Sequence, residues 1–131
     1  MNENNIQNFN NANLTSVIKT CYAKPFYEVL IIALKQIMPI RLIVENAIFE
    51  LYTHEHNNFR ITPDTFIFPN NSQIKIVRYD DTLKGYKVHE ILLDNLSELL
   101  TNITYPELIR NVSSMLIDYE EEQKWQEEIS F

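Results

Sequence analysis

Among the 131 residues there is a single glycine, Gly85. Sandwiches and barrels of many short strands place glycine at turn after turn, so a chain with one Gly and five Pro points instead to a helix-rich globule with few tight turns. The same scarcity excludes a glycine-rich loop wrapped around phosphate. With 45% hydrophobic residues the chain is long enough for one core, which should bury roughly two-thirds of its unfolded surface, and too short for a second domain. Seven of the first 13 residues are Asn, so 1–13 are expected to form a flexible arm and 14–131 a single globular domain with an acidic C-terminal segment.

Periodicity supplies the elements. Leu14, Val17, Ile18, Cys21 and Tyr22 recur at helical spacing and predict a short helix ending before Pro25. Pro25 then suits the first turn of a second helix through Met38, whose apolar residues nearly encircle it and imply a central position. A third helix runs from Pro39 to about His54, with Ile40, Ile43, Val44, Ala47, Ile48, Leu51 and Tyr52 on one face. The period then changes. Thr65 to Phe68 and Gln73 to Tyr79 are rich in Phe, Ile and Val around Pro69-Asn-Asn-Ser72, which predicts a hairpin. A fourth helix is expected near His89 to Asn102. A last one starts with Thr104 and Glu107 in capping-box spacing and buries Leu108, Val112, Met115, Leu116 and Tyr119. The expected fold is therefore α+β, mostly helical, with about five helices around one short β-hairpin.

Chemistry-bearing patterns are sparse. His54-Glu55-His56 is the one metal-like cluster, with His89-Glu90 as its only plausible supplement, but alternating histidines on a helix diverge by about 200° and zinc wants three or four converging ligands. Cys21 sits on an apolar stripe, the position of a small buried thiol, and Asp80-Asp81 fits a turn. No cofactor, metal or catalytic residue is assigned. One cysteine, no N-terminal apolar run and no span approaching the roughly 20 residues a membrane crossing needs lead to an expected cytoplasmic, intracellular protein without membrane attachment. A net charge of −7 disfavours nucleic acid and suits a basic protein patch. The charge concentrates at the end: from Glu107 onward seven acids face only Arg110 and Lys124. Glu120, Glu121, Glu122, Trp125, Glu127, Glu128 and Phe131 are the expected partner-binding residues, carboxylates with two aromatic anchors for Lys or Arg.

The stretch from Asn58 to Asp80, with Thr62-Pro63 before Phe66-Ile67-Phe68, resembles the protein-kinase segment H-R-D-x-K-P-x-N with its strands and D-F-G. Leu42 to Asn57 and Tyr105 to Ile129 are similar to the helices before and well after it. Setting Pro63 on the family's proline puts Arg60 at the catalytic Asp, Thr62 at the Lys, Thr65 at the Asn and Arg78 at the metal-binding Asp. The pattern looks closer to the non-catalytic kinase C-lobe modules called KIND domains, and that resemblance implies a protein-binding frame without phosphotransfer. The expected function is an adaptor or regulatory module that binds a basic segment of a partner. Two alternatives stay open: a small acidic inhibitor or immunity-type protein blocking a basic enzyme, and a structural subunit or homodimer in which the apolar helix Phe26 to Met38 is covered by a neighbour.

Overall fold

The computed structural model describes residues 5–53, 58–79, 85–101 and 103–129. Its centre is a strand. Glu28-Val-Leu-Ile-Ile-Ala33 has five consecutive buried side chains and forms β2 (Glu28–Ala33), where a central helix was expected. A continuous apolar run of this length, rich in β-branched residues, fits either state; covering both faces of a parallel sheet selects the strand. Around it stand β1 (Ile6–Asn8), β3 (Arg60–Ile61), β4 (Thr65–Ile67), β5 (Gln73–Arg78) and β6 (Glu90–Leu93), in the order β1-β6-β2-β5-β4-β3. The first four strands of that order are parallel, and β4 and β3 close the far side antiparallel. The expected hairpin is present as β4 and β5, yet β5 also pairs along its full length with β2, so it belongs to a mixed sheet that has six strands among the described residues.

Among the described residues five helices accompany the sheet: α1 (Asn11–Ala23), α2 (Ile37–Leu51), α3 (Leu96–Leu99), α4 (Tyr105–Ser113) and α5 (Tyr119–Ile129). The α+β class and the helix count agree with the sequence reading; a mostly helical body around one hairpin does not. Alternation along β2 divides the core. Val29, Ile31 and Ala33 pack with Leu14, Val17, Ile18 and Cys21 of α1 and Ile40, Val44 and Ile48 of α2. Leu30 and Ile32 pack on the opposite face with Leu108 and Val112 of α4 and with Met115. Each fully buried Val, Leu or Ile contributes roughly 1.5–3 kcal/mol, so β2 alone anchors much of the fold.

Three further departures have local causes. Ile6–Asn8 join the sheet edge and Asn10 caps α1 by accepting the Asn13 N–H at 2.8 Å, so regular structure begins inside the stretch expected to be an arm. Glu90–Leu93 of the expected fourth helix is β6, because Ile91, Leu92 and Leu93 pair with β2 and are buried on alternating faces. Ile43, expected on the buried stripe of α2, is 43% exposed. The capping box of α4 is present as expected: the Thr104 hydroxyl accepts the Glu107 N–H, and the Glu107 carboxylate accepts the Thr104 N–H. Among the described residues no helix is long and apolar enough to cross a membrane.

Candidate functional site

The polar side chains gather at the amino ends of β2 and β6, under α5. Residues 115–117 run beside Val88: the Val88 N–H donates to the Met115 carbonyl and the Ile117 N–H to the Val88 carbonyl, each at 2.8 Å. This short pairing aims the chain into α5. Asp118 then accepts the Glu121 N–H at 2.9 Å, as an N-cap does, and Glu120, Glu121 and Glu122 fill the first turn, where carboxylates suit the positive helix end.

His89 is 1% exposed and lies beneath this helix. Its Nδ1 accepts the Glu28 N–H at 2.9 Å, which leaves the proton on Nε2 to donate to Glu122 Oε1 at 3.0 Å. Tyr27 stacks on the imidazole, with centroids 5.2 Å apart, and Tyr119 meets it edge-on at 5.1 Å. Both ring nitrogens are engaged, so His89 holds α5 to the sheet and keeps no lone pair free for a substrate proton. Two more contacts fix the helix: the Tyr119 hydroxyl donates to the Pro25 carbonyl at 2.6 Å, and Lys24 Nζ lies 3.3 Å from Glu120 Oε1 over the Tyr119 ring.

The neighbouring acids feel their burial. Tyr27 donates to Glu90 Oε1 at 2.8 Å. Burial raises the Glu90 carboxyl above the usual range, opposed by that hydrogen bond and by Lys24. Burial raises Glu28 likewise, with His89 pulling it down and Glu122 pushing it further up. Tyr27 itself is driven well above the usual phenol range by burial and then by the Glu90 charge. Among the described residues no three His, Cys, Asp or Glu side chains converge as metal ligands do.

The outer side of this cluster is open. Asn5, Leu116, Ile117, Asp118, Glu121, Glu122 and Trp125 line a groove of about 790 Å³. Glu121 and Trp125 are one helical turn apart on the same side of α5, and Trp125 is 64% exposed. Of the expected binding residues, the structure brings Glu121, Glu122 and Trp125 together here. Glu120 turns instead toward Lys24. Glu127 and Glu128 belong to the last turns of α5, and Phe131 lies outside the described residues. Sequence reasoning put Leu116 on the buried face of the last helix and weighed His89 only as a supplement to a metal cluster; it missed Ile117, Lys24 and Tyr27 as parts of the site, because their meeting depends on contacts distant in the chain. The expected turn at Asp80-Asp81 and the cluster His54-Glu55-His56 also lie outside the described residues. Arg60, Thr62, Thr65 and Arg78 fall on or beside β3, β4 and β5, with Thr65 buried and Arg60 and Arg78 exposed. Comparison of the chain with family models, with curated proteins and with solved structures finds no match.

Proposed function

We propose that this protein is a non-catalytic interaction module whose α5 groove takes a basic segment of a partner protein. The observation that carries the reading is the joint placement of Trp125 with Asp118, Glu121 and Glu122 around one open groove. A Lys or Arg inserted there meets three carboxylates and the face of an exposed indole, and its alkyl stem meets Leu116 and Ile117. The full engagement of His89 and the non-acidic residues at 60, 62, 65 and 78 support a binding role in preference to phosphotransfer. An adaptor or regulator role fits these residues.

Trp125 is the only tryptophan, which makes it the reporter. Titration with Lys/Arg-rich peptides should shift its emission and saturate, with an affinity that falls as salt rises. Glu121→Lys, and Trp125→Ala read by calorimetry, should each weaken binding by about 2 kcal/mol, roughly thirty-fold in Kd. Unchanged binding by both variants would remove the groove from the reading.

A further inference from the structure

The sheet ends on one side at β1, and among the described residues no strand lies beyond it. This edge is also unguarded. Residues 5–10 contain neither a charge nor Pro, whereas the opposite edge, β3, begins at the exposed Arg60 and runs on into Pro63. The Phe9 N–H donates to the Leu93 carbonyl at 2.9 Å, so by alternation Gln7 aims its backbone groups at β6, and Ile6 and Asn8 aim theirs outward. The Asn8 carbonyl accepts the Asn13 side-chain amide at 2.8 Å. The Ile6 N–H and carbonyl and the Asn8 N–H meet no partner among the described residues. A groove of about 350 Å³ follows this edge, with Ile6 and Asn8 lying between Asn13 of α1 and Leu96, Tyr105 and Ile109 on the α4 side. Asn5, the residue before β1, lines the α5 groove. The two grooves therefore meet at the start of β1.

We propose that the partner's basic segment binds as an extended strand added to the outer edge of β1. Resting on the α5 groove as the site for that segment, this arrangement adds how the segment is held. Charge complementarity selects the occupant: Asp118, Glu121 and Glu122 stand at one end of the edge, ready for a Lys or Arg carried on the added strand. A second copy offering its own β1 brings no cation in line with the strand, because the first basic residue of the chain is Lys19, in the second half of α1. Main-chain bonds to Ile6 and Asn8 supply affinity without regard to sequence, and the side chains then decide which segment fits. A residue set beside Ile6 turns, as Ile6 does, to the α4 side, where Ile109 and the 49% exposed Tyr105 suit an apolar side chain. A strand advances about 3.3 Å per residue, so a Lys or Arg two or three residues further on, past Asn5, reaches the α5 carboxylates. The partner is thus recognised by a short extended run that is apolar on one face and ends in Lys or Arg.

The probes are two capped peptides in which valine alternates with threonine, one with a pair of lysines at its amino end and the other at its carboxyl end, titrated into the full chain by calorimetry. The tighter of the two gives the strand direction. Methylating its backbone amides one at a time should weaken binding about tenfold at every second position along β1 and little at the positions between, since only alternate N–H groups face the edge. Asn8→Pro removes an outward N–H where an edge strand tolerates Pro, and should lower affinity to the same degree. Tyr105→Ala, at an exposed position, should cost about fivefold with the valine peptide and nothing with its alanine counterpart. Peptides that need Glu121 and Trp125 yet show no two-residue period and ignore Tyr105 overturn the added strand and leave the α5 groove standing. Absence of saturable binding by either peptide removes both. A peptide-free dimer that Asn8→Pro dissociates gives the edge to a second copy and overturns the proposal as well.

Discussion

Glu28 begins the central strand with its carboxyl half-buried between His89 and Glu122, and its folded-state pKa lies above the ordinary 4.5. The folded chain therefore keeps this proton at a pH where the unfolded chain has released it, and unfolding releases protons in that window. The contribution of Glu28 to stability falls as pH rises from 4.5 through the raised value, and is level above it. Glu28→Gln removes the buried charge, so the variant should be more stable than the parent at neutral pH and show a smaller loss on going up through that window. Urea unfolding of both proteins at a series of pH values reads the difference; a variant that loses as much as the parent would contradict this account. Burial of this kind is invisible in the sequence, which shows Glu28 only as a charge before an apolar run. Backbone conformation at single residues is unevenly legible too. Asn71 and Asn95 occupy positive φ, as their side chains allow, whereas Phe26 does so at φ 57 with nothing in the sequence to announce it.

Elements with local signals were legible, and those that depend on distant partners were not. Thr104, Pro106 and Glu107 declare the start of α4 within four residues, and the structure reproduces it. The stripe of Leu14, Val17, Ile18 and Cys21 places α1 in the same way. β2 and β6 have no such marker, because a strand buried on both faces loses the alternation that distinguishes it from a helix. α5 is a third case: none of its described side chains is buried, and it is held by Lys24, His89 and the Pro25 carbonyl. An element fastened mainly by polar contacts should open well below the free energy of global unfolding. Tyr119→Phe removes the hydroxyl that donates to Pro25 and should cost about 1 kcal/mol locally, speeding amide exchange in α5 about fivefold while leaving β2 amides unchanged. Equal acceleration in β2 would mean that α5 and the sheet open together.

At the scale of the whole molecule the sequence supports the α+β class, and the parallel sheet that organises the fold stays hidden. Parallel neighbours pair over long sequence separations: β2 lies beside β5 and β6, with Ile31 in register with both Ile76 and Leu92. The same geometry makes β2 the wall shared by two cores, Ile31 facing α1 and α2 and Ile32 facing α4. If the two cores are one cooperative unit, damage to either side must weaken both. Ile31→Ala and Ile32→Ala should each cost about 2–4 kcal/mol, and each should shift a single transition rather than split it. Far-UV dichroism follows all the helices, while near-UV dichroism reports side-chain packing on both faces, through Tyr27 and Tyr52 on the α1–α2 side and Tyr79 and Tyr86 on the α4 side. Coincidence of the two signals in both variants is the expected result. An Ile32→Ala protein in which α4 melts first and the α1–α2 face persists would show that the strand joins two separately stable halves.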